Sequence, residues 1–71
     1  MEFKLRTEFI ELDNLLKALR LVSGGTEAKQ CIQAGQVKVN GEVEMRVRRK
    51  VRAGDGVEFV KDGAAQSITV A

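Results

Sequence analysis

At 71 residues the chain is the size of one small domain, with no room for a catalytic domain beside a binding one. Its 44% apolar and 31% charged content suits a folded globular protein, but aromatics make up only 4% and His is absent, which removes the commonest metal ligand and general base. The net charge of +2 hides an uneven distribution: residues 29–52 hold seven basic side chains against two acidic, whereas residues 1–25 hold four of each. The single cysteine, Cys31, excludes an internal disulfide and suits a reducing compartment. Met1-Glu2 followed by alternating charges is no signal peptide, and no apolar run approaches the roughly 20 residues needed to cross a bilayer. These features predict one domain over 1–71, cytoplasmic and non-enzymatic, with no cofactor, no metal and no membrane partner.

Phe3 and Leu5 alternate with Glu2, Lys4 and Arg6, the period of a short half-exposed strand. Leu12, Leu15, Leu16, Leu19 and Val22 then recur at helical spacing opposite Asp13, Asn14, Lys17 and Arg20. Asp13 suits the positive end of that helix, and Ser23-Gly24-Gly25 is the expected stop. Thr26 is the expected N-cap of a second helix ending at Ala34, with Gly35 beyond it, a buried stripe of Ala28, Cys31, Ile32 and Gly35, and Lys29 and Gln33 on the polar side.

After Gly35 the period becomes two, and Asn40-Gly41 is a strong hairpin signal. A strict two-residue turn would set Val39 against Glu42 and Lys38 against Val43, mixing apolar and charged groups on each face. A three-residue loop over 40–42 would set Val39 against Val43 and Val37 against Met45, so that all four face the core, and this register is the one predicted. On that parity Arg46, Arg48, Lys50 and Arg52 line an outer strand face about 6–7 Å apart. Arg49 falls on the apolar side, which predicts a bulge or bend near Arg48-Arg49. Gly54-Asp55-Gly56 reads as a turn, Val57 and Phe59 as a strand, and Asp62-Gly63 as a two-residue turn that pairs Val57 with Ile68.

Five cations within Arg46–Arg52, four of them Arg, exceed what protection of a sheet edge requires, and the guanidinium fork matches phosphate. An anionic nucleic acid is the favoured partner. Base stacking is not expected to dominate, because Trp and Tyr are absent and Phe3, Phe9 and Phe59 are assigned to the core. The remaining mode is recognition of structured RNA through phosphate and 2′-hydroxyl contacts, with Lys29, Gln33, Lys38, Asn40, Arg46, Arg48, Arg49, Lys50 and Arg52 as candidate binding residues. An adaptor with an acidic protein partner is the second reading, and duplex DNA a third, since neither helix is a basic recognition helix. Cys31, without an activating partner, is assigned to packing, Asp13 to a helix start and Asp55 to a turn; Gly24-Gly25 lacks the spacing and Lys of a nucleotide loop.

Three blocks together resemble a known family: Leu12-Asp13-x-x-Leu16; Ala28-x-x-x-Ile32-x-x-Gly35-x-Val37-x-Val39-Asn40-Gly41; and Val51-x-x-Gly54-Asp55-x-Val57. The pattern, over residues 12–60, resembles the S-four RNA-binding domain, named after small-subunit ribosomal protein four. The resemblance implies an α+β fold of two helices on a short, bent antiparallel sheet, the alpha-L fold, binding structured RNA such as ribosomal RNA; a monomer is expected. Gly-Gly-x-Glu-Ala-Lys and Arg-x-Arg-x-Lys resemble stand-alone bacterial members. Where the family commonly has Ser-Arg before the second helix, this chain has Gly24-Gly25, so that Arg contact does not carry over.

Overall fold

The computed structural model describes residues 1–71 as seven strands and two helices. They are β1 (Glu2–Phe3), β2 (Ile10–Glu11), α1 (Leu12–Ala18), α2 (Gly25–Gln33), β3 (Val37–Val39), β4 (Glu42–Val43), β5 (Lys50–Val51), β6 (Gly56–Lys61) and β7 (Ala64–Val70). The α+β class stands, but the sheet is larger than expected and is not purely antiparallel. Five strands run in the order β1-β7-β6-β3-β4, with β1 parallel to β7, and β2 and β5 form a separate antiparallel pair. Alternation in residues 2–6 identified a strand but carried no information about its direction, which the partner at the far end of the chain sets.

Leu12, Leu15 and Leu16 of α1 and Ala28, Cys31 and Ile32 of α2 are buried against Val37, Val39, Val57, Phe59, Ile68 and Val70 of the sheet. Val51 of β5 completes that core, and no charged side chain enters it. Cys31 is buried as expected, and burial pushes its thiol pKa up.

Both helices end in the same hydrogen-bonded motif, in which the residue after the cap is left-handed. In α2 that residue is Gly35, at φ 78°, as the sequence predicted. In α1 it is Arg20, at φ 58°, with Arg20 N–H donating to Lys17 and Leu21 N–H to Leu16. The helix therefore stops at Ala18, six residues before Gly24, and Val22 reaches the core from the connection. At the start of α2 the cap is Gly24 rather than Thr26 and supplies no side-chain bond. Glu27 instead reaches back, and its Oε1 accepts from the backbone N–H and hydroxyl of Ser23 at 2.8 Å each.

The two hairpins turn alike. Asn40 and Gly41 have φ of 52° and 85°, Asp62 and Gly63 of 53° and 79°, the two-residue turn with both central residues left-handed. β6 and β7 pair Val57 with Ile68, as predicted. β3 and β4 pair Lys38 with Val43 and Val39 with Glu42, which corrects the expected three-residue loop. The physical reason is that β4 has only two residues, so it has no long apolar face to defend and the Asn-Gly geometry decides the register. Val43 and Met45, expected inside, are 52% and 56% exposed.

Candidate nucleic-acid interface

The register of β3 and β4 determines what the basic segment becomes. Glu44 N–H donates to the carbonyl of buried Val37, so Glu44 follows the inward side while Met45 turns out. Its carboxylate, only 14% exposed, then gathers the arginines that follow. Arg46 donates from Nε at 3.1 Å, from Nη2 at 2.9 Å and from its backbone N–H at 3.0 Å. Arg49 Nε lies 3.0 Å from the same carboxylate, and its Nη1 is buried without a partner. These bonds, the Arg46 side chain first, hold the Glu44 pKa down to about 2.

The expected extended strand of cations is consequently broken. Residues 44–49 are not strand; a turn at Val47-Arg48 carries an Arg49 N–H bond to the Arg46 carbonyl, and regular pairing resumes only at Lys50-Val51. The bend expected near Arg48-Arg49 is present, but the even-numbered cations do not share one face. The loop is stitched instead to the start of α1, whose Leu12 and Asp13 N–H groups donate to the carbonyls of Arg49 and Val47 at 2.8 and 3.1 Å. That docking brings Arg48 to Glu11, 3.3 Å away, at the mouth of a groove of about 470 Å³ between the two helices.

Lys17 and Lys29 line this groove with Arg48, as do the carboxylates of Glu11 and Asp13. Lys17 Nζ reaches across to the first residue of α2, where a Cβ on Gly25 would lie 3.8 Å from it. Of the predicted residues, Lys29 and Arg48 therefore meet here, and Gln33 is exposed one helical turn beyond Lys29. Lys17 was missed, because it sits on a helix whose polar face has no excess of cations, and only the packing of α1 on α2 brings it to Lys29.

Other predicted residues lie elsewhere. Lys38 is on the outer sheet face beside Glu58, in a depression of about 380 Å³. Asn40 lines the same depression, but its amide joins two turns: Nδ2 donates to Asp55 at 3.0 Å and Oδ1 accepts from Gly56 N–H at 2.9 Å. Asp55 also accepts from Arg52 N–H at 2.8 Å, and these two bonds lower its pKa. The turn role expected of Asp55 is thus visible in its contacts.

Lys50 and Arg52 have a third environment. Lys50 Nζ is 4.8 Å and Arg52 Cζ 5.6 Å from the centroid of Phe9. Phe9 was assigned to the core, but it belongs neither to the buried cluster nor to the partly buried side chains packed on it. Its neighbour Ile10 takes the inward position instead, because it stands across from buried Val51 in the β2–β5 pair.

The S4 domain model matches residues 3–70. YbcJ of Escherichia coli (strain K12) is 48% identical over 50 residues, 70% of this chain and 71% of that protein, and YbcJ of Shigella flexneri matches to the same extent. The solution structure of YbcJ from E. coli, described as revealing an alfaL motif involved in RNA-binding, aligns with a TM-score of 0.66 and 39% identity, over 96% of this chain and 85% of that one. The resemblance read from the residues and the match across nearly the whole chain agree: this chain belongs to the S4 domain family.

Proposed function

We propose that this chain is a non-enzymatic, cytoplasmic RNA-binding protein that acts as a monomeric single domain on structured RNA, with ribosomal RNA as the expected class. The observation that carries the reading is the groove at the start of α2, where Lys17, Lys29 and Arg48 converge beside a helix N-terminus whose first N–H groups have no side-chain cap. Such a surface suits a phosphate backbone in a fixed geometry, and the relative's RNA-binding motif supports the same assignment. Lys50 and Arg52 extend the cationic surface, with Gln33 on the exposed helix face; Lys38 is a peripheral contact. Arg46 and Arg49 contribute through the loop they shape. No helix is long and apolar enough to cross a membrane. A role without catalysis rests on the absence of His and on a buried thiol whose pKa is raised.

The test is RNA-hairpin affinity as a function of salt. If about five cations engage phosphates, the log–log slope lies near −3 to −5. Lys29→Glu with Arg48→Glu should weaken binding at least about tenfold with an unchanged circular dichroism spectrum, because both positions are exposed. A flat salt response, or partners that survive RNase digestion in a pull-down, would instead favour an acidic protein partner.

A further inference from the structure

Phe9 is the one aromatic ring that the core does not use. Phe59 is buried and Phe3 packs on the core, whereas Phe9 lies half-buried at the end of the irregular segment 4–9, held there by a Thr7 hydroxyl bond to its carbonyl at 2.8 Å. It lines a cavity of about 420 Å³ with Phe3, Leu5 and Ile10 as the apolar walls and Lys4, Arg6, Thr7 and one carboxylate, Glu2, as the polar ones. Lys50 and Arg52 complete the surroundings from above the ring. None of these four cations forms an ion pair, in contrast to Arg46, Arg48 and Arg49.

The geometry points to a second RNA contact at Phe9, separate from the helix groove, that takes an unpaired nucleotide: its base stacks on the Phe9–Arg52 platform and enters the apolar cavity, while Lys4, Arg6 and Lys50 hold the flanking phosphates. The inference rests on the RNA-binding reading and adds a ligand class to it. An aromatic ring backed by a guanidinium offers a surface to any base face, and the cavity lining combines apolar side chains suited to a base with two cations, against one carboxylate, suited to its backbone. A purely paired helix cannot present a base there, so the site favours RNA with a bulge, loop or overhang. Charge complementarity selects this occupant over an apolar peptide, which four unpaired cations would disfavour.

The probe is an RNA hairpin with a short unpaired bulge, set against the same hairpin fully paired. The natural chain should bind the bulged hairpin about fivefold or more tightly than the paired one. Phe9→Leu should bring the two affinities to within about twofold of each other, with the paired hairpin bound as before. Phe9→Trp keeps a ring and places the only tryptophan in the chain at the site, so its emission should be quenched by the bulged hairpin and not by the paired one. Equal affinities in the natural chain, a difference that survives Phe9→Leu, or unquenched emission at saturating bulged hairpin would each overturn the inference while leaving groove binding intact. Failure of the natural chain to bind either hairpin would overturn the RNA-binding reading and this inference together.

Discussion

Arg46, Arg48 and Arg49 each rest against a carboxylate, Glu44 or Glu11, whereas Lys50 and Arg52 rest against the Phe9 ring with none. The difference is not one of composition. Lys50 stands directly across the β2–β5 ladder from Glu11, yet the Glu11 carboxylate turns to Arg48. Arg46 and Arg49 shape a loop, Arg48 stays exposed at the groove mouth beside Glu11, and Lys50 and Arg52 keep their charge for a partner. The density of cations in a sequence therefore overstates the charge a surface can offer, because carboxylates nearby in space neutralise part of it. Two of the five cations of residues 46–52 stand free of any carboxylate, and the groove joins Arg48 to Lys17 and Lys29 from outside the run.

The largest effect is expected from removing the Glu44 clamp. Glu44→Ala leaves Arg49, with its side chain only 25% exposed and one nitrogen already without a partner, deprived of its carboxylate. The expected loss of stability is about 2 kcal/mol, measured by urea unfolding. Lys50→Gln with Arg52→Gln should leave the unfolding midpoint within error, since both are exposed. A Glu44→Ala variant as stable as the natural chain would mean that the two groups are alike.

The next effect is on RNA affinity. Lys50→Gln with Arg52→Gln should weaken hairpin binding about tenfold and make the log–log salt slope shallower by about 1.4 to 1.8, the share of two phosphate contacts. Glu44→Gln has the opposite sign: it keeps an acceptor oxygen for the loop but frees the Arg46 charge, so affinity should rise a few-fold. If removing the free pair and freeing the clamped arginine move affinity in the same direction, the distinction between them fails.

Acid should act on the carboxylates that tie loops together, Glu44, Glu27 and Asp55. Glu44 is held at a pKa of about 2 by Arg46 and Glu27 at about 2 by Lys61 and then Ser23, both below the ordinary 4.5. A depressed carboxylate pKa gives stability that is whole above about pH 4.5 and is lost as the pH falls toward 2. The thermal midpoint should therefore decline over that window, and less steeply in Glu44→Gln. Lys50 and Arg52 form no side-chain ion pair, and Asp55 is held chiefly by the Arg52 backbone N–H and Asn40, so substituting the two side chains should change the profile's shape little.

Much of this was legible in residues alone. The helical stripe of Leu12, Leu15 and Leu16, the Gly35 stop and the Val57–Ile68 pairing each follow from a local rule that the whole fold obeys. What was not legible depended on encounters distant in sequence: the parallel return of β7 to β1, the docking of residues 47–49 on the start of α1, and the meeting of Lys17 with α2. The Arg20 helix stop was missed because an arginine gives no signal for a left-handed backbone.

The smallest expected effect tests the cause of the whole division, the register at Asn40-Gly41. Alternation fixed the register of β6 and β7 because six consecutive pairs share it, but only two pairs tie β4 to β3. With so little apolar surface at stake, the turn chose the register, and one residue of difference put Glu44, half-buried, on the inward side and Val43 outside. Val43→Thr should therefore change stability by no more than about 0.5 kcal/mol, as expected of an exposed site. The same change at Val39, 4% exposed and paired with Val57, should cost about 1 to 2 kcal/mol, because the hydroxyl enters the core unpaired. A Val43→Thr loss as large as that at Val39 would restore the three-residue loop, turn Glu44 outward, and leave Arg46 and Arg49 as free as Lys50 and Arg52.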